Sequence, residues 1–151
     1  MGLTKRRAGA SAAVRRWGSF PTTADVGIWA RADRPDALLE ALGLGLFALM
    51  TDLRKVRSTE QRVVQASGSD PESLVVAWLG QLLLLQQTEG WIARELDVRL
   101  VGTPPTALIA TAHGEPFDAR RHSSRAEVKA VTYHRMRLDL VRGRARVIVD
   151  I

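Results

Sequence analysis

Apolar residues change their spacing along this chain, and the changes divide it into elements. Leu38, Leu42, Leu46 and Leu49 recur at helical spacing, which predicts a helix from Pro35 to about Met50. Pro35 suits a first helical turn, and Asp33 and Asp36 flank its positive end. Gly43 and Gly45 each weaken that helix by about 1 kcal/mol relative to alanine. Their place in it suggests close packing against a sheet. Val75, Trp78, Leu79, Leu82 and Leu85 form a second helical stripe, with Trp78 expected in the core. Asp70-Pro71 opens it with a capping side chain and a ring preset to helical φ. Thr88-Glu89-Gly90 closes it.

Elsewhere the period is two. Residues 17–20 and 26–32 read as strands, the first ended by Pro21, and 59–66 as a third, followed by the turn SGSD. Beyond Gly90 the strands expected are 92–101, 106–112, 126–131, 136–141 and 144–151, with Arg142-Gly143 as a tight hairpin turn. Two helices among short strands imply an α+β domain. The arrangement expected is a two-layer sandwich, both helices on one face of a largely antiparallel sheet.

Composition narrows the picture. The chain has 151 residues, enough for one domain with a real core. It has no cysteine, which excludes disulfides, thiolate zinc sites and cysteine nucleophiles, and fits a cytoplasmic protein. The apolar run 74–85 is broken by Gly80 and Gln81 and is too short to span a bilayer, so no membrane is expected. Residues 1–16 are basic without an apolar core and read as a flexible arm rather than a signal peptide. Charge is uneven: the segments 1–16 and 120–151 are basic, whereas 17–119 carries an excess of acid. Such flanks can attract RNA or an acidic partner. Solvated arginine is the plainer reading.

Two short stretches hold candidate chemistry. In TTADVG, Asp25 stands at a junction between strands, either as a turn-former or as a ligand. In RVIVDI, an apolar strand reaches the last residue, so that Asp150 and the Ile151 main-chain carboxylate would be held rather than frayed. Fixed carboxylates repel unless a positive charge intervenes. A hard cation suits oxygen-only ligands, and an arginine would serve as well. His113, His122 and His134 fit no zinc spacing and read as hydrogen bonders in loops or at strand ends. Trp17, Trp29, Trp78 and Trp91 read as core or interface residues. No phosphate loop or nucleophile elbow is present. A hydrolase using Asp25 with His134 would lack a nucleophile and an oxyanion pocket.

The stretches TTADVGIWA, ALGLGLFALMTDLRKV, WLGQLLLLQQTEGW, HGEPFDARRH, EVKAVTYHRM and ARVIVDI, in that order, resemble the archease family over about residues 17–151. KAVTYH with a terminal VDI is the most specific part. The resemblance implies a small α+β fold and a protein cofactor rather than an enzyme. The implied partner is an RtcB-type RNA-splicing ligase, whose guanylylation and multiple turnover the cofactor promotes in tRNA splicing and RNA repair. A chaperone or RNA-binding modulator of tRNA-modifying enzymes is the alternative. The resemblance also implies a metal site at Asp25, Asp150 and Ile151, the last through its main-chain oxygens. Ca²⁺ is the expected ion, with Mg²⁺ or Mn²⁺ as alternatives. RNA contacts would fall on residues 5–16 and on Arg120, Arg121, Arg125, Arg135, Arg137, Arg142, Arg144 and Arg146; self-association is left open. Thr22 stands where the family usually has histidine.

Overall fold

The computed structural model describes residues 16–151. The expected basic arm, apart from Arg16, lies outside them. Two long helices form where the apolar spacing places them: α1 (Pro35–Met50) and α2 (Pro71–Glu89). The start of α2 is a capping box. The Asp70 carboxylate accepts the Ser73 N–H at 2.8 Å, and Ser73 Oγ accepts the Asp70 N–H at 3.1 Å. Gly90, in the left-handed region at φ 63°, ends it.

The ends of α1 are built differently. Arg34 precedes its first turn with no side-chain cap, so Asp33 does not cap it, and Asp36 supplies the acidic group in the first turn. Its last turn holds no basic residue. Instead, the carbonyls of Leu49 and Met50 accept N–H groups from Ala126 and Arg125 at 3.0 and 2.9 Å. Helix ends leave such carbonyls without partners, and a distant loop satisfies them here.

Eight strands accompany the helices: β1 (Trp17–Pro21), β2 (Val26–Arg31), β3 (Glu60–Ser67), β4 (Trp91–Val101), β5 (Ala107–Pro116), β6 (Ala130–Val131), β7 (Arg137–Asp139) and β8 (Arg144–Asp150). All pairings are antiparallel. The α+β class with two helices against antiparallel sheet holds. The strands, however, divide into two sheets. One runs β1-β2-β8-β6, with β7 also paired to β8, and the other runs β3-β5-β4. Helix α1 reaches both through its glycines. A Cβ on Gly45 would stand 2.7 Å from Ile28 Cγ2 in the first sheet, and one on Gly43 would stand 2.5 Å from Leu96 Cδ1 in the second.

Three expected boundaries move for local reasons. Residues 126–129 are not strand, because Arg125 and Ala126 spend their N–H groups on α1. Strand β5 runs on through His113 to Pro116, so His113 sits within a strand rather than in a loop. The β7–β8 connection is four residues long: the Asp139 carboxylate accepts the Arg142 N–H at 2.9 Å, and Gly143 turns at φ 68° beneath the Ala32 carbonyl.

The core lies between the helices and both sheets. It is centred on Leu38, Leu42, Leu46, Phe47, Trp78, Leu79, Leu82, Trp91 and Val147, all fully buried. Trp78 is part of it as expected, and its indole N–H donates to the Leu39 carbonyl at 2.9 Å. No helix among the described residues is long and apolar enough to cross a membrane.

Candidate functional site

The β1–β2 turn is closed from both sides. The Thr22 N–H donates to the Asp25 carbonyl at 3.1 Å, and Thr22 Oγ1 accepts the Asp25 N–H at 3.0 Å. Thr22 therefore has a job of its own. It fixes the backbone that carries Asp25, which is half-buried.

Strand β8 lies inside its sheet, with β2 on one side and β6 and β7 on the other. Its inward residues Ala145, Val147 and Val149 are buried, which holds it in place. It stays ordered to its end: the Asp150 carbonyl accepts the Lys129 N–H at 2.7 Å. Ile151, one residue on, is 44% exposed. The register pairs Val26 with Val149 and Gly27 with Ile148. Carried one residue further, it sets Asp25 opposite Asp150. The sequence offered two acids some 125 positions apart, and the β2–β8 pairing brings their backbones to facing strand ends.

Among the described residues, neither carboxylate accepts a hydrogen bond or an ion pair, and no arginine offsets their charge. Nor do three or more His, Cys, Asp or Glu side chains gather there as a metal cluster. The donors on offer are thus two carboxylates and the main-chain oxygens of Ile151. That all-oxygen set fits a hard divalent cation, with water completing the shell.

A second polar cluster is one that the sequence pattern did not reveal. Glu115 and His122 are both buried. The Glu115 carboxylate accepts from Arg121 Nη1 and Nη2 at 3.1 and 2.7 Å, from the Arg57 N–H at 2.8 Å, and from His122 Nε2 at 2.9 Å. His122 Nδ1 accepts the Asp118 N–H at 2.8 Å, so the ring proton is on Nε2. Every group is satisfied, which makes this a staple binding the 117–122 loop to β5. The one signal in the sequence was the acid of HGEPFDARRH followed closely by two bases. His134 is exposed and shares no hydrogen bond with Asp25 among the described residues. Ser123 serves α1: its carbonyl accepts the Thr51 hydroxyl at 2.7 Å.

Residues 17–151 match the archease protein family. The archease of Pyrococcus abyssi is 34% identical over 142 residues, covering 91% of this chain and 100% of the relative. That of Thermococcus gammatolerans is 39% identical over 127 residues, covering 83% and 89%. The solution structure of Methanobacterium thermoautotrophicum protein 1598 superposes with a TM-score of 0.77 at 33% identity, covering 91% of this chain and 99% of the other. The crystal structure of a Thermotoga maritima archease, described as a possible chaperone, shares the fold with a TM-score of 0.54 at 18% identity, covering 87% and 94%.

Proposed function

Because the chain belongs to the archease family, we propose that it is a metal-binding protein cofactor of an RtcB-type RNA ligase, promoting guanylylation and turnover of that ligase in tRNA splicing and RNA repair. The observation that carries the reading is the β2–β8 register, which brings Asp25 and Asp150 to facing strand ends with no protein donor between them among the described residues. Asp25, Asp150 and the main-chain oxygens of Ile151 would hold the ion, Ca²⁺ by the preference of an oxygen set of flexible geometry. Bound there, a divalent cation would supply the positive charge that lets the carboxylates stay close.

The chain's own residues do the rest. Thr22 orients Asp25, and the Lys129 N–H holds the Asp150 backbone. The surface at these strand ends is then the part that meets the ligase. Among the described residues no nucleophile and base are paired at this site, which favours a cofactor role over a reaction of its own.

The test is single-turnover guanylylation of the cognate ligase, with and without this protein. Asp25→Ala and Asp150→Ala should lose stimulation while keeping the wild-type circular dichroism spectrum. Full stimulation by both variants would overturn the reading.

A further inference from the structure

The helices cover one face of the first sheet. Its other face carries a pattern that the metal reading does not use. Strand register sets its rows. One row runs Gly18, Trp29, Arg146 and Arg137 across β1, β2, β8 and β7. The next pairs Arg31 with Arg144, and Arg144 with Asp139. The row on the other side runs Phe20, Gly27 and Ile148.

Two features of these rows are unusual. First, arginine stands directly opposite arginine twice, Arg31 against Arg144 and Arg137 against Arg146, and all four are exposed. Like charges directly opposite on neighbouring strands destabilise a sheet. Exposed positive charge gathered in this way offers a surface to an anion. Asp33 lines the cleft beside it, Asp139 faces Arg142, and Asp25 and Asp150 lie two residues beyond Gly27 and Ile148.

Second, the aromatic rings are seated on glycines. The Trp29 indole fills the space over Gly18, 2.5 Å from where a Cβ would stand, and the Phe20 ring fills the space over Gly27. Guanidinium groups lie over both rings, Arg146 at 4.2 Å from the Phe20 centroid and Arg31 at 5.6 Å from that of Trp29. Beyond the rings, Arg16, Arg31, Arg142 and Arg144 border a cleft of about 260 Å³. Ring-backed guanidinium planes stack on bases, and their N–H edges bond phosphate. A point-charge patch on an acidic protein needs no such planar backing.

We infer that this outward face binds single-stranded RNA, with Arg31, Arg144, Arg146 and Arg137 on phosphates and the Trp29 and Phe20 stacks under bases. By strand parity it lies on the same sheet face as Asp25 and Asp150, which follow one row beyond Gly27 and Ile148. Its test uses the isolated protein in EDTA, with no ligase, so its outcome is independent of the metal centre.

A short fluorescein-labelled single-stranded RNA is titrated with the full chain and followed by anisotropy at several salt concentrations. The double variant Arg144→Ser/Arg146→Ser should bind at least about tenfold more weakly. Its salt slope should fall by about 1.4, at about 0.7 for each lost phosphate contact. Trp29→Leu should weaken binding about tenfold and leave the slope unchanged. The pair Arg94→Ser/Arg99→Ser, exposed on β4 of the other sheet, loses the same charge and should bind as the wild type. Melting curves identify any variant that fails to fold, and Arg137→Ser then serves as a milder replacement. Absence of RNA binding by the wild type, or equal losses in the two arginine pairs, would overturn the inference. So would an Arg144/Arg146 variant that keeps RNA but no longer stimulates the ligase, which would mark the face as a protein-docking surface.

Discussion

His122 donates its Nε2 proton to the Glu115 carboxylate across 2.9 Å, with both residues buried at the seam between β5 and the loop that follows it. Arg121 forks onto the same carboxylate, and those bonds are the main reason its pKa falls from 4.5 to about 2; the Arg57 N–H and His122 add to the effect, and burial opposes it. Unfolded, Glu115 takes up its proton near its ordinary value; folded, only near the lower one. Its contribution is therefore complete above about pH 5 and is lost as pH falls toward 2. Glu115→Gln should cost about 3 kcal/mol at neutral pH, the order expected when one partner of a buried pair is removed. Urea unfolding across this range should show the gap to wild type narrowing as acid is added. A gap that stays constant with pH would contradict the assignment.

The end of α1 depends on residues more than seventy positions away. Thr51 is fully buried, and its hydroxyl donates to the Ser123 carbonyl at 2.7 Å. Thr51→Val keeps the shape but strands that carbonyl. A loss of about 1–2 kcal/mol in unfolding free energy is expected, together with faster amide exchange at Arg125 and Ala126, whose N–H groups rest on the same helix end. Unchanged exchange there would show that the loop is held by other contacts.

Three glycines in helices should answer alanine differently. A Cβ on Gly80 in α2 would have nothing within 4 Å of it. Gly80→Ala should therefore gain about 1 kcal/mol from helix propensity alone. At Gly45 the new methyl would meet Ile28 at 2.7 Å and Trp17 at 3.3 Å. Overpacking of that kind costs about 1–3 kcal/mol, which outweighs the propensity gain. Gly43→Ala meets Leu96 and Leu82 and should behave like Gly45→Ala. Thermal melts of the three variants separate the two effects, and a stabilised Gly45→Ala would show that α1 does not need its close approach.

Those glycines also mark what could be read in advance. Both helices follow from local signals: Leu spacing and Pro35 for α1, Asp70-Pro71 and Gly90 for α2. Close packing at Gly43 and Gly45 was expected, because glycine in a helix calls for a compensating contact. The split into two sheets was not legible, since it depends on which distant strands pair. The same holds for the loop that caps α1 and for the Glu115 staple, where the sequence gives residue types without their partners. Asp25 and Asp150 stood out in TTADVG and RVIVDI, and their joining in one site came only through family resemblance. Their facing positions come from the β2–β8 register, which neither TTADVG nor RVIVDI contains. The ring-on-glycine pairs did leave a trace, in the alternation of Gly18 with Phe20 and of Gly27 with Trp29, but the strand partners that give it meaning lie elsewhere in the chain.

The carboxylate pair makes a prediction whose sign depends on calcium. Without metal, Asp25 and Asp150 face each other with no protein donor among the described residues, and their repulsion works against the β2–β8 pairing. In EDTA at low salt, Asp150→Asn should therefore melt at or above the wild-type temperature. An ion that binds the folded state alone stabilises it by about 2.7 kcal/mol when present at a hundredfold excess over its dissociation constant. For a chain of this size that is a rise of roughly 5–10 °C in Tm. The wild type should show that rise in calcium, and Asp150→Asn should not, so the two melting temperatures exchange order between the conditions. Differential scanning calorimetry in EDTA and in calcium reads both. Thr22→Ala supplies an intermediate case: it keeps both carboxylates but loosens the turn that carries Asp25, so it should retain the calcium response at higher ion concentrations. A wild-type Tm indifferent to calcium, magnesium and manganese would leave the facing acids without a counter-ion role and would remove the physical basis for a metal centre at these strand ends.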